Sequence, residues 1–115
     1  MNQELSQFAQ TLKDLGYTVI VPKKPEYDWF HVFKDGRMAY IEGSTRHGFN
    51  ISSTHMPSRE CGTGFSVHRN CATLEVESVN RALTLTDERY KVERYKSPEM
   101  FINSPNEVWA EYSIL

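Results

Sequence analysis

The stretch Tyr27–Ile41, YDWFHVFKDGRMAYI, says most about how this chain folds. Two apolar runs flank the dipeptide Asp35-Gly36. An Asp-Gly pair between apolar runs is a strong signal for a two-residue hairpin turn, because both turn positions take positive φ. The sequence therefore predicts an antiparallel hairpin at this dipeptide. Its apolar strand residues are Trp29, Phe30, Val32 and Phe33 before the turn and Met38, Ala39, Tyr40 and Ile41 after it.

A helix and a strand are predicted before the hairpin. Asn2 can cap the helix, and Gly16 ends it because glycine adopts the left-handed conformation at low cost. The segment Tyr17–Val21 is short, rich in β-branched residues and followed by Pro22, which is typical of a strand. Apolar residues recur at helical spacing in the first fifteen positions, namely Leu5, Phe8, Ala9, Leu12 and Leu15.

Four further elements and a capping box are predicted after the hairpin. Phe49–Ser52 and Gly64–His68 read as strands, and Tyr90–Tyr95 alternates like an edge strand. A second helix is predicted over Thr73–Leu83, with Thr73 as its cap. Ser104–Glu107 forms a capping box that would begin a third helix. The buried stripe of the second helix is predicted to be Val76, Val79, Ala82 and Leu83.

These elements predict a single α+β domain over residues 1–115, with an antiparallel sheet of about five strands and two or three helices packed on one face. No window approaches the roughly 20 apolar residues of a membrane span, and the first fourteen residues are too polar for a signal peptide. The net charge of −2 argues against general binding to duplex DNA. Two cysteines do not make a disulfide framework, so we expect a cytoplasmic protein with reduced thiols.

Residues 43–70 have an unusual composition. They contain four of the six glycines, three of the four histidines and three arginines, but no lysine. The segment contains a single acidic residue, Glu60, so it carries a net positive charge in an acidic chain. Arginine without lysine suits bidentate recognition of a planar oxyanion better than diffuse attraction of charge.

The segment Ser53–Phe65 is the predicted ligand-binding loop. Glycines would let backbone N–H groups approach a phosphate, and hydroxyls and arginine would complete the cradle. Arg59 and Arg46 are expected to pair with phosphates, and Phe65 to stack on a base. The predicted ligand-binding residues are Arg46, His47, Thr54, His55, Arg59, Thr63 and Phe65. The alternative is an ordinary polar surface loop, because surface loops collect Gly, Ser and Thr whatever their role.

The sequence gives weaker support to metal binding and to catalysis. The ligand spacing of His55, Cys61, His68 and Cys71 lacks the paired knuckles of a structural zinc site, so no metal and no cofactor is expected. Cys61 with His55 or His68 could form a nucleophile and base, and two histidines could cleave RNA, but no flanking signature supports either. We therefore expect a binding protein rather than an enzyme, and assign no catalytic residue.

The tail 97–115 is acidic, with Glu99, Glu107 and Glu111, and ends Tyr112-Ser113-Ile114-Leu115. An apolar end of this kind is expected to pack on the chain's own sheet or on a second chain. We also expect a homo-oligomer, because a pocket between subunits would give so small a domain a deep ligand site.

The segments His55–Arg59 and Gly62–Phe65, in a small and mildly acidic chain, resemble small phage- or plasmid-encoded inhibitors of bacterial immunity. One group of such proteins sequesters nucleotide messengers of host defence, either cyclic or derived from ADP-ribose. The other, of anti-CRISPR type, docks on a host defence protein complex. The resemblance implies a protein of the bacterial host cytoplasm that binds a phosphate-bearing nucleotide. Docking on a host defence protein through an acidic and aromatic surface is the alternative.

Overall fold

The computed structural model describes residues 1–54, 66–84 and 112–115. In chain order its elements are α1 (Gln3–Asp14), β1 (Thr18–Pro22), β2 (Trp29–Lys34), β3 (Arg37–Ser44), β4 (Gly48–Thr54), β5 (Ser66–Ala72), α2 (Val76–Thr84) and β6 (Tyr112–Ile114). The α+β class is confirmed. The predictions for Tyr90–Tyr95 and for the capping box Ser104–Glu107 lie outside the described residues.

The sheet grows outward from the predicted hairpin. Asp35 and Gly36 both have positive φ, 53° and 76°, as an Asp-Gly turn requires. The turn joins β2 to β3, with Lys34 opposite Arg37. In the part of the chain that is described, the strand order is β5-β4-β3-β2-β1-β6, and every neighbouring pair is antiparallel.

In the described part of the chain the sheet has six strands, in keeping with the prediction of about five. The strand that was not predicted is β6, which pairs with β1 and places Ile114 opposite Ile20. The backbone N–H of Leu115 continues this edge by donating to the Val19 carbonyl at 2.9 Å. Of the two expectations for the apolar tail, packing on the chain's own sheet is therefore the one observed.

Both helices differ from the prediction at one end. Leu15 is 56% exposed because α1 ends at Asp14 and Leu15 is its C-cap, so Leu15 does not join the buried stripe. Thr73 is not the cap of α2, which begins only at Val76. Instead, the carbonyl of Glu75 accepts the first bonds, from the N–H groups of Ser78 and Val79. In β5 the strand runs to Ala72, four residues past the predicted end.

One hydrophobic cluster joins the helices to the sheet. Val32 lies opposite Ala39, and Phe30 opposite Ile41, so these side chains share one face of the sheet. The cluster contains the buried residues of both helices, namely Leu5, Phe8, Ala9, Leu12, Val79, Ala82 and Leu83, together with Tyr17, Val19, Phe30, Val32, Ala39, Ile41 and Ile51. That every helix packs on this face stays a prediction, because the third predicted helix begins outside the described residues.

Asn2 ties the start of α1 to the sheet. Its Oδ1 accepts the Leu5 N–H at 2.9 Å, its Nδ2 donates to the Gly43 carbonyl at 2.8 Å, and its backbone N–H donates to Asp28 Oδ1 at 2.8 Å. One residue thus caps the helix and holds it against β3 and against the connection that precedes β2. Replacing Asn2 should therefore remove both a helix cap and a contact between α1 and the sheet.

We expect Asn2→Ala to lower the free energy of unfolding by about 1–2 kcal/mol, because it removes the cap and the bond to Gly43 together. Urea denaturation measures the loss. Asn2→Ser is the matched control, since serine still caps the helix but is too short to donate to Gly43. Equal stability of the alanine variant and the wild type would show that the cap contributes nothing.

Candidate functional site

The β2–β3 turn, the end of β4 and the start of β5 lie at one end of the sheet. Met38, the second residue of β3, is opposite Thr54, the last residue of β4. Thr54 is in turn opposite Ser66, the first residue of β5. The two ends of the eleven-residue connection 55–65 are therefore neighbours, beside the β2–β3 turn.

Arg46 and His47 lie at the other end of the sheet. Both are exposed, in the connection between the paired residues Ser44 and Gly48, where the His47 N–H donates to Ser44 Oγ at 3.2 Å. The strand β4 runs from Gly48 to Thr54, so its two ends are about 20 Å apart. A ligand that touched both Thr54 and Arg46 of one chain would have to extend over that distance.

The structure places the remaining predicted residues as follows. Thr54 ends β4, with its backbone paired on both sides. Predictions for His55, Arg59, Thr63 and Phe65 lie outside the described residues. Within the described ranges, then, the structure does not bring any two separate parts of the predicted ligand-binding set together.

The structure reveals a cleft that the sequence reading missed. It has a volume of about 310 Å³ and lies between the β2–β3 turn and the carboxyl end of α2. This volume is at the lower end of the range for small-molecule sites. The cleft is lined by Lys34, Asp35, Arg37, Asn80, Leu83 and Thr84.

Two cations at this cleft are held in place by neighbouring groups. The Lys34 ammonium lies 4.4 Å from the centre of the Tyr17 ring, and the Tyr17 hydroxyl donates to Asn80 Oδ1. Arg37 Nη1 donates to the carbonyls of Leu83 at 3.3 Å and Thr84 at 3.1 Å. Arg37 therefore satisfies backbone acceptors that the end of α2 leaves open. The sequence signal was the pair of basic residues around Asp35-Gly36, which we read only as a turn.

The opposite face of the sheet carries an aromatic cluster around His31. The His31 ring lies 5.1 Å from that of Tyr40 and 5.7 Å from that of Tyr112, measured between centroids. His31 is only 7% exposed, and this burial lowers its pKa from 6.5 to about 3. The imidazole is therefore neutral at physiological pH, which suits a packing role better than proton transfer near neutrality.

A half-buried aromatic pair extends this cluster towards the start of β2. The rings of Tyr27 and Trp29 are stacked, with centroids 4.4 Å apart and planes inclined by 16°. Trp29 Nε1 donates to the Tyr112 hydroxyl at 3.1 Å, which ties the pair to β6. Glu42 lies directly opposite Trp29 and accepts a hydrogen bond from the Tyr40 hydroxyl at 2.8 Å.

The function of this protein has to be inferred from the residues themselves. Neither of the two helices in the described part of the chain is long and apolar enough to cross a membrane. Among the described residues, no three His, Cys, Asp or Glu side chains are grouped as they would be around a metal ion. No family model matches this chain, and no curated protein or solved structure matches it significantly.

Proposed function

We propose that this protein binds a phosphate-bearing nucleotide and retains it without turnover. The supporting observation is the pairing of Thr54 with Ser66, which makes residues 55–65 the connection between two adjacent strand ends. Connections in hairpins usually have two to five residues, and much longer ones are often functional. This one has eleven, including Arg59, two glycines and no lysine.

The class of nucleotide follows from the resemblance to inhibitors of bacterial immunity. Such a protein would sequester a cyclic or ADP-ribose-type signal of host defence in the cytoplasm of the bacterial host. Sequestration requires tight binding and slow release rather than chemistry. Recovery of the intact nucleotide after denaturation therefore separates this function from that of an enzyme.

Arg59→Ala is expected to raise the Kd for the bound nucleotide at least tenfold, because a charge-assisted hydrogen bond contributes about 1.5–3 kcal/mol. The measurement is isothermal titration calorimetry with ADP-ribose and with cyclic di-AMP, after native mass spectrometry of the purified protein. Lys23→Gln, in the exposed β1–β2 connection, is the control for general loss of positive charge. An unchanged Kd in a folded Arg59→Ala variant would contradict the role given to Arg59.

Arg46→Ala reports on the expected homo-oligomer. Because β4 separates Arg46 from Thr54 by about 20 Å, a compact ligand held by one chain would not need Arg46. A loss of affinity like that of Arg59→Ala would instead indicate a site between two copies, with Arg46 supplied by the second. Size-exclusion chromatography with light scattering gives the number of copies directly.

A second candidate function is docking on a host defence protein complex. The observation that favours it is the register of β2 and β3, which puts the carboxylate of Glu42 beside the stacked Tyr27–Trp29 pair. Aromatic residues are enriched at protein interfaces, and an acidic group there would suit a basic groove. Glu42→Lys should then abolish a partner complex while leaving nucleotide binding unchanged. Loss of nucleotide binding in that variant would contradict this separation of the two surfaces.

A further inference from the structure

We propose that the cleft between the β2–β3 turn and the carboxyl end of α2 is a phosphate-binding subsite for a nucleotide, with Lys34 and Arg37 as its cationic ligands. The inference deepens the proposed function and rests on it. It names residues that sequence composition did not single out. Its experiment separates a failure of the cleft from a failure of nucleotide binding as a whole.

The first argument is the placement of the two cations. Lys34 and Arg37 are directly opposite each other in the β2–β3 ladder, so their side chains leave the same face of the sheet. Both line the cleft, and Asp35 is the one carboxylate among its lining residues, which leaves the site with a net positive charge. A pair of cations converging on a small concave site is suited to a phosphate group.

The second argument is that neighbouring groups already orient both cations. The Tyr17 ring holds the Lys34 ammonium at 4.4 Å, and Asn80 in turn holds the Tyr17 hydroxyl. Two carbonyls of α2 hold Arg37. A ligand that binds prearranged side chains loses less conformational entropy than one that must order them.

The carboxyl end of a helix is itself a poor place for an anion, because the helix dipole is negative there. Arg37 counters this effect, since its Nη1 bonds the Leu83 and Thr84 carbonyls that carry the partial charge. Lys34, paired with Arg37 in the hairpin, then adds a full positive charge on the hairpin side of the cleft. Together, these charges favour an anion on the side of the cleft that the hairpin turn forms.

Asp35 adds a requirement for the ligand. A carboxylate accepts hydrogen bonds only, so it would repel a bare inorganic anion but bind a hydroxyl next to the phosphate. The side chains of Asn80 and Thr84 offer further polar contacts on the wall formed by α2. The chemistry that fits is therefore a phosphate ester of a sugar, as in a nucleotide.

The topology connects this cleft with the proposed nucleotide site. Arg37 directly precedes Met38, and Met38 is opposite Thr54, so the cleft lies at the end of the sheet where β4 ends. Arg46 lies at the other end. Lys34 and Arg37 are thus better placed than Arg46 to share one ligand with the end of β4.

The test is titration of the full chain with ADP-ribose. Calorimetry gives the Kd, and the amide chemical shifts report which residues the ligand affects. Lys34→Gln is expected to raise the Kd about tenfold, while Lys23→Gln, which removes the same charge in the β1–β2 connection, leaves it unchanged. The amide signals of Asn80 and Thr84 should shift in the wild type on binding. Lys34→Arg, which keeps the charge, should bind within about threefold of the wild type.

Three outcomes separate the proposals. Weaker binding of Lys34→Gln, with Lys23→Gln unchanged and Lys34→Arg within about threefold of the wild type, supports the subsite. A Lys34→Gln variant that binds like the wild type, while Arg59→Ala binds weakly, overturns the subsite and leaves the nucleotide-binding function standing. Failure of the wild type to bind either ADP-ribose or cyclic di-AMP overturns the proposed function, and the role of the cleft with it. Arg37 is a poorer test position, because its replacement also uncaps α2.

Discussion

Gly43→Ala is expected to lower the free energy of unfolding by about 3–5 kcal/mol, a large part of the 5–15 kcal/mol typical of a domain. Gly43 has φ of +117°, a conformation that costs other residues about 1–3 kcal/mol. A Cβ at this position would also lie 2.1 Å from the backbone carbonyl oxygen of Gly48. Since that neighbour is backbone, relief of the clash requires β3 and β4 to separate where they pair.

Gly48→Ala is the matched control for this prediction. Gly48 also has positive φ, +82°, but nothing lies within 4 Å of an added Cβ. Its replacement should therefore cost only about 1–2 kcal/mol of backbone strain. Urea denaturation of both variants at one pH measures the difference. Equal losses of stability would contradict the close approach of Gly43 to Gly48 and the register of β3 with β4.

The stability of the protein is expected to fall as the pH is lowered from about 6.5 towards 3, because His31 stays neutral in the folded state. Its folded pKa of about 3 is below the unfolded value of 6.5, so between these values only the unfolded chain binds the proton. Protonation then favours unfolding, by about 1.4 kcal/mol for each pH unit. Above pH 6.5 the imidazole is neutral in both states and has no effect.

At pH 5 this linkage should cost about 2 kcal/mol relative to pH 7. The variant His31→Leu removes the titrating group, so its loss of stability between pH 7 and pH 5 should be smaller than that of the wild type by this amount. His47→Gln, which removes an exposed histidine, is the matched control. A wild-type slope in His31→Leu would show that other groups carry the acid sensitivity. Comparing slopes rather than stabilities keeps the test valid even if leucine packs poorly.

The candidate site could be predicted from the sequence only where its residues are close together in the chain. The composition of residues 43–70 is a local property, and it singled out one connection between strands. The cleft at Lys34 and Arg37 has no such local signature, because Asn80 and Thr84 belong to a helix more than forty residues later. Packing of α2 beside the β2–β3 turn brings these groups together.

Local preferences of the residues specified the elements that depend on neighbouring residues. Asp35-Gly36 specified the hairpin because both residues take positive φ, and Asn2 and the apolar spacing specified α1. Those preferences act between residues that are close together in the sequence. They therefore need no knowledge of distant partners.

The tertiary structure was needed to show which distant segments meet. It added β6 beside β1, placed Arg46 and Thr54 at opposite ends of β4, and buried His31 between Tyr40 and Tyr112. Strand register and helix packing depend on burying apolar surface and satisfying backbone hydrogen bonds across the whole sheet. Those energies belong to pairs of residues far apart in the chain, so no local pattern contains them.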